Sequence, residues 1–356
     1  MKTIVIGGGG VGSLIASYLS AADRDVTVFD PWFQHVDHVQ RHGLQVISPE
    51  GEHLTHPTFR HLDALEDAGT AELVVIAVKS YNTVAAARLA LPHLDESTIV
   101  ISAQNGMNDL PIGHIVGNDR MIGSVVELGA HLTGPGRVVR TSAWDSNSIA
   151  FGSLFGIEDD PRGLRLAQYF EPLGGVRTVP DIWPERWSKL VLNATSNAPA
   201  GLTGLGTDGL WNDIATTDVV IALGHELAEV ATAYGITFSP VFGKISHEVW
   251  TSAQQIDDPA WSQVRAQLNA MAEYRVGDLR NIASLLQDVL RARRTEIDYL
   301  NGWVVSAASR VGVEVPTHRM LVEHLRPVER GDIPPAHQNI KPIHDEVVAL
   351  YGTGSK

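Results

Sequence analysis

The chain has 356 residues, 44% of them hydrophobic, which is enough for two domains with separate cores. Its formal net charge of −14 argues against nonspecific binding to nucleic acid or anionic membrane, and the absence of cysteine excludes disulfides, thiolate metal sites and cysteine nucleophiles. No apolar stretch reaches the length of a membrane span, and Met1-Lys2-Thr3 enters a strand without a signal-peptide core, so a cytoplasmic location is expected.

The first element is a β-branched run, Thr3–Ile6, of the kind that forms a buried parallel strand. Gly7, Gly9 and Gly12 follow it in G-x-G-x-x-G spacing, then a helical stretch Val11–Ala21 and a second strand Val26–Phe29 ending in Asp30. Strand, glycine turn, helix, strand and terminal acid within about thirty residues make a dinucleotide cradle the expected reading. Gly7 permits the tight turn, Gly9 lets a pyrophosphate approach the backbone, and Gly12 lets the helix pack near the sheet. The whole turn, Gly7, Gly8, Gly9, Gly10, Val11 and Gly12, presents first-turn amides and the helix dipole to the anion. The alternative is a glycine-rich turn that binds nothing. Asp30 can accept from the ribose hydroxyls and would repel a 2′-phosphate. Pro31, Trp32, Phe33 and Gln34 add no Lys or Arg, so NAD is favoured over NADP. Asp30 could instead merely start the turn before Pro31.

His35, His38 and His42 fall at i, i+3 and i+7 on one face of the next helical stretch. No acidic fourth ligand accompanies them, so they are read as an exposed helix near the adenine end, with no metal bound. Strand candidates continue at Leu44–Ile47, Leu73–Val78, Thr98–Ala103, Met121–Val126, Arg137–Thr141, Ser148–Gly152 and Val176–Val179, with helices at Thr83–Leu94 and Pro161–Phe170. This alternation predicts an α/β fold with a doubly wound sheet. Gly134-Pro135-Gly136 marks a hairpin, so the sheet is expected to turn antiparallel late in the domain.

Beyond residue 180 helical periodicity takes over, at Glu185–Ala198, Ile214–Tyr234, Asp258–Tyr274 and Ser284–Val311, and this half also holds Trp187, Trp211, Trp250, Trp261 and Trp303. The expected organisation is a dinucleotide-binding domain over 1–180, an all-helical substrate and dimerisation domain over 181–351, and a disordered tail over 352–356. No linker separates the domains, which predicts a close interface with a binding cleft. On the first helix Lys189, Asn193 and Asn197 lie at i, i+4 and i+8, one face by helical geometry. Asparagine is a poor helix former, and two on one stripe among apolar residues need a reason. Ser284-Leu-Leu-Gln-Asp288 and Arg294-Thr-Glu296-Ile-Asp298-Tyr-Leu-Asn301-Gly302 are the second polar segment.

The stretches W-x-K-L-x-x-N-x-x-x-N and S-x-L-x-D…T-E-I-D-x-L-N-G resemble the C-terminal half of ketopantoate reductases. The N-terminal turn, Val78-Lys79-Ser80 and Gln104-Asn105-Gly106-Met107 fit the same family in order. The resemblance implies a Rossmann-like doubly wound N-terminal domain and a helical C-terminal domain with a cleft between them. It also implies a nicotinamide cofactor, usually NADPH, and reduction of a 2-oxo acid to a 2-hydroxy acid. By position, Lys189 matches the family's catalytic acid, Asn193 and Asn197 match residues that bond the substrate's hydroxyl and oxo groups, and Ser284 matches a contact to its carboxylate. Glu296 matches an acid that helps order the active site and is also counted beside the cofactor. Lys79 and Asn105 match residues beside the cofactor, Asn105 also reaching substrate, and Ala130 matches another. A homodimer through the helical domain is implied as in many family members.

The chemistry stands apart from the resemblance. Hydride delivery to a ketone carbon builds charge on its oxygen, and a lysine ammonium can bond that oxygen and protonate it. Asparagine amides offer both donor and acceptor. Ser284 is expected near a helix start, as an N-cap or a carboxylate contact. Twelve residues separate it from Glu296, about 120° around an ideal helix, so both line one cleft only from different angles or across a break. Asn193 and Asn197 could instead be core residues, Glu296 a partner of Arg293 or Arg294, and Lys79 a loop cation. Two features depart from a standard family member: Asp30 lacks a following basic residue, and Ser239–Gly277 is long and expected to lie beside the cleft. Three readings follow. The first is a 2-oxo acid reductase with Lys189 as general acid. The second is a catabolic NAD-dependent dehydrogenase of another, larger or aromatic, hydroxy compound. The third is a non-catalytic dinucleotide sensor.

Overall fold

The computed structural model describes residues 1–157, 160–272 and 282–352. The tail beyond 352 and the end of the Ser239–Gly277 stretch lie outside the described residues. The chain divides into two compact units between Ile182 and Trp183.

In the first unit the elements run β1 (Thr3–Ile6), α1 (Gly10–Ala21), β2 (Val26–Asp30), α2 (Phe33–His42), β3 (Leu44–Ser48), β4 (Gly51–Thr55), β5 (Thr58–His61) and β6 (Leu73–Ile76). They continue with α3 (Thr83–Ala90), β7 (Ile99–Ser102), α4 (Asp109–Val116), β8 (Gly123–Val126), β9 (Ala130–Gly134), β10 (Arg137–Arg140), β11 (Ile149–Ser153), α5 (Pro161–Phe170) and β12 (Val176–Asp181). Five strands form an all-parallel sheet in the order β5-β2-β1-β6-β7, a Rossmann-like arrangement. β1 and β6 are buried at every residue, which is why both read as unbroken apolar runs.

The remaining strands do not extend this sheet. They form two small ones, β4-β3-β10-β9 and β12-β11-β8. The turn at 134–136 does join an antiparallel hairpin, β9 to β10. Three strands escaped the sequence reading: β4, exposed along most of its length, β5, four residues long, and β9, which starts at Ala130. None carries enough apolar alternation to register. The expected helix Thr83–Leu94 stops at Ala90, because Pro92 enters a separate 3-10 turn over Leu91–His93.

The second unit is helical: α6 (Trp183–Thr203), α7 (Thr207–Asn212), α8 (Ile214–Ala233), α9 (His247–Ser252), α10 (Pro259–Ala272), α11 (Ser284–Leu290), α12 (Asn301–Val311), α13 (Pro316–Glu329) and α14 (Lys341–Tyr351). α8 is the central helix, buried on every side and packed by α6, α7, α9, α10, α12, α13 and α14. The single helix expected over Ser284–Val311 is two helices. After α11 the chain turns through Ala292 at φ 49°, and Thr295 gives both its N–H and its hydroxyl to Glu329 of α13, at 2.7 and 2.6 Å. A carboxylate from another helix thus takes the donor that a continuous helix would have used.

The described part of Ser239–Gly277 is built into this unit. α10 packs on α7, α8 and α9. Asp218 of α8, 3% exposed, accepts from Trp261 Nε1 at 2.9 Å and from Arg265. His344 of α14 reaches the other oxygen of Asp218 at 3.3 Å. One buried carboxylate therefore ties three helices.

Candidate functional sites in the two units

The glycine turn leaves β1 at its C-terminal end, where parallel sheets bind ligands. Its glycines differ in what holds them. Gly7 has φ 108°, and a Cβ there would stand 2.8 Å from the Ala77 backbone. On Gly8 it would meet Phe59 at 2.8 Å, on Gly10 the Ala130 backbone at 2.9 Å, and on Gly12 the Gly7 carbonyl at 2.0 Å. A Cβ on Gly9 would meet nothing within 4 Å. Four glycines are thus required by the protein's own packing, and Gly9 opens outward, where a ligand can reach the backbone. Gly9 is the N-cap of α1, and no acidic side chain occupies the first turn, which contains Val11.

Asp30 closes β2. Its Oδ2 accepts from Gly8 N–H at 2.6 Å and its Oδ1 from Trp32 N–H at 2.8 Å. Each oxygen retains acceptor capacity for a ribose hydroxyl. β5 pairs His61 with Asp30, and His61 Nε2 lies 3.2 Å from the Pro31 carbonyl. Lys79 precedes a short turn after β6, and Asn105 sits in the loop after β7, both half-buried. Gln104 Nε2 donates to the Val78 carbonyl at 2.8 Å, and Asn108 Nδ2 to Ser80 Oγ at 3.0 Å. These bonds hold the two loops together at the same sheet edge as the glycine turn. Ala130 lies there as well, against Gly10.

The three histidines do not act as a set: His38 and His42 lie with ring centroids 5.0 Å apart, and His35 stands apart from them. They do share α2, but His35 is fully buried, contrary to the expectation of an exposed helix face. Its Nδ1 accepts from Gly136 N–H at 2.9 Å, and its Nε2 lies 3.3 Å from Ser13 Oγ. A histidine with both ring nitrogens engaged can sit in a core. Among the described residues no group of His, Asp or Glu is arranged to hold a metal ion.

In the second unit α6 is continuous from Trp183 to Thr203, so Lys189, Asn193 and Asn197 share one face. Lys189 is half-buried, and both asparagines are only 6% exposed. Ser284 opens α11, but the N-cap is Ala283, so the expected capping role does not hold. The adjacent Leu285 occupies the space a Cβ on Gly201 would need, at 2.2 Å, which brings α11 hard against α6. Glu296 is buried in the segment between α11 and α12.

Asn301 was visible in the motif without a role. It is fully buried, and its Nδ2 donates to the Ala194 carbonyl at 2.9 Å and lies 3.1 Å from His318 Nδ1. His318 Nε2 in turn donates to the Leu223 carbonyl at 3.0 Å. Burial pushes this imidazole down to about 4, so it is neutral and Nδ1 is free to accept. Asn301 and His318 together fix α6 between its two asparagines. Nothing in local sequence marks His318 for this task.

Residues 3–154 match the family model of ketopantoate reductase PanE/ApbA, and residues 181–329 match that of the ketopantoate reductase PanE/ApbA C-terminal region. The chain belongs to the ketopantoate reductase family. The 2-dehydropantoate 2-reductase of Halobacterium salinarum is 28% identical over 336 residues, covering 93% of this chain and 99% of that one. Among solved structures, the PanE/ApbA family ketopantoate reductase of Ralstonia eutropha JMP134 is 25% identical with a TM-score of 0.74, covering 93% of this chain and 99% of the other. A D-mandelate dehydrogenase solved with NADH and anilino(oxo)acetate shares the fold, at 20% identity and a TM-score of 0.75, covering 97% and 99%. As a member of the ketopantoate reductase family, the protein is an oxidoreductase.

Proposed function

We propose that the protein interconverts a 2-oxo acid of the 2-dehydropantoate type and its 2-hydroxy acid, using NAD(H), with Lys189 as general acid. The observation that carries this reading is the face of α6: an ammonium followed at i+4 and i+8 by two nearly buried amides. A core helix has no use for that stripe unless a polar group meets it.

The dinucleotide supplies hydride exchange with the substrate carbon. Gly9 and the first turn of α1 would hold its pyrophosphate, and Asp30 its ribose hydroxyls, with Lys79, Asn105 and Ala130 alongside. Lys189 donates a hydrogen bond to the ketone oxygen and passes it a proton as negative charge builds. Asn193 and Asn197 accept from and donate to the substrate's hydroxyl and oxo groups, which fixes the carbon's orientation. Asn105 takes part in that contact, Ser284 bonds the carboxylate, and Glu296 orders the polar groups around the lysine.

The NAD preference rests on Asp30, and the mandelate dehydrogenase solved with NADH supports the scaffold's compatibility with it. A homodimer through the helical unit and a cytoplasmic setting complete the proposal on the strength of the family. Titrating the purified protein with NADH and NADPH, followed by a screen of 2-oxo acids, tests it. Tighter binding of NADPH would overturn the Asp30 argument. Faster turnover of aromatic than of branched aliphatic acids would favour the larger-substrate dehydrogenase. Lys189→Ala is expected to lower kcat by at least about a hundredfold at unchanged NADH affinity. A loss of less than about a hundredfold would remove the general-acid role.

A further inference from the structure

The proposed reaction makes no use of His35, yet this side chain is fully buried next to the cofactor turn. The Gly136 N–H points at its Nδ1, so that nitrogen carries the lone pair and Nε2 carries the proton. Nε2–H then faces Ser13 Oγ on α1, and Ser13 donates onward to the Gly8 carbonyl at 2.8 Å. The Gly8 N–H is given to Asp30. One chain of hydrogen bonds therefore runs from the β9–β10 hairpin through α2 and α1 into the glycine turn. Trp32 stacks on the same imidazole, with ring centroids 5.3 Å apart and planes 22° from parallel.

The Gly8–Gly9 peptide explains what this chain achieves. In a trans peptide the carbonyl and the following N–H point in opposite directions. Tying the Gly8 carbonyl inward to Ser13 turns the Gly9 N–H the opposite way, and the residue is uncrowded, since a Cβ on it would meet nothing within 4 Å. We propose that His35 is a positioning residue for dinucleotide binding, holding the Gly8–Gly9 peptide through Ser13 so that the Gly9 N–H faces the pyrophosphate. This rests on the dinucleotide reading above and deepens it.

The same geometry makes binding sensitive to acid. Protonation of His35 would set an Nδ1–H against the Gly136 N–H, two donors face to face, and release the ring. Burial holds the imidazole below its ordinary value, while Asp30 at the end of β2 and the Gly8 backbone, which the ring also approaches, pull it up and His38 on the same helix pushes it down. The remaining neighbours present Ser13 from α1, Phe59 from β5 and Gly136 from the hairpin, none of which titrates.

The test is calorimetric titration of the full chain with NAD⁺ from pH 8 down to pH 5, for the wild type and Ser13→Ala. The wild type is expected to lose about tenfold in affinity toward pH 5, with a midpoint below the ordinary histidine value. Ser13→Ala is expected to bind about tenfold more weakly at pH 8 and to show no such acid limb. A flat wild-type profile, or a Ser13→Ala variant that keeps the wild-type affinity and limb, overturns the inference while leaving the dinucleotide reading intact. A wild type that binds neither NAD⁺ nor NADP⁺ at any pH overturns that reading first. Nitrogen NMR of the unliganded wild type gives a readout that needs no variant to fold. His35 should show an unprotonated Nδ1 at pH 7, and a proton there would overturn the proposal.

Discussion

Between residues 7 and 12 five glycines do two different jobs. Gly7 and Gly12 are held by their own chain: one needs a positive φ, and the other leaves no room beside the Gly7 carbonyl. Gly12→Ala should therefore destabilise the first unit by about 1–3 kcal/mol, the usual cost of overpacking, seen as a lower thermal midpoint. Gly9→Ala should leave that midpoint nearly unchanged and weaken dinucleotide binding by about tenfold or more, because its methyl group enters only the open side. Equal losses of stability in both variants would refute the division. The motif spacing made these positions legible, since the chemistry of a phosphate turn is local. His35 was not legible in the same way. Its burial depends on a backbone N–H 101 residues away, and helical spacing alone reads such a histidine as exposed.

At the level of elements, α6 was legible because its polar stripe follows the helical repeat without interruption. The break between α11 and α12 was not, because the group that causes it, Glu329, belongs to α13. Local propensity across 291–300 is adequate for a helix, and a partner distant in sequence decided otherwise. The break lets α12 begin at Asn301, whose amide spans α6 and α13 by way of Ala194 and His318. Asn301→Asp would replace the buried donor with an acceptor facing the Ala194 carbonyl. It should cost about 2–4 kcal/mol of stability, measured as a shift in the urea midpoint followed by tryptophan emission. Asn301→Ala leaves the carbonyl unmatched without adding a charge and should cost less. The opposite order would show that the amide does not carry the link.

For the molecule as a whole, the helical unit buries two groups that titrate in opposite senses. Glu226 accepts from the Thr317 and His318 N–H groups at 2.8 and 3.1 Å and from Tyr351 Oη at 3.1 Å. Burial nevertheless pushes it up to about 7, while burial pushes His318 down to about 4. The raised carboxyl contributes stability that is complete below its ordinary value near 4.5 and is lost as pH rises through about 7. The depressed imidazole contributes stability that is complete above its ordinary value near 6.5 and is lost as pH falls through about 4. From about pH 4.5 to 6.5 the two slopes oppose each other, so their joint contribution should be nearly flat. Glu226→Gln removes one slope and leaves the other. Relative to wild type, its stability should therefore improve as pH rises from about 4.5 to 7, by up to roughly 1.4 kcal/mol per pH unit. Tryptophan emission reads mainly this unit, because six of the eight tryptophans, Trp183, Trp187, Trp211, Trp250, Trp261 and Trp303, lie in it. Other titrating groups are common to both proteins and cancel in the difference. A pH-independent difference would mean that Glu226 is ionised in the folded unit throughout, held by the N-terminal N–H groups of α13 and the Tyr351 hydroxyl.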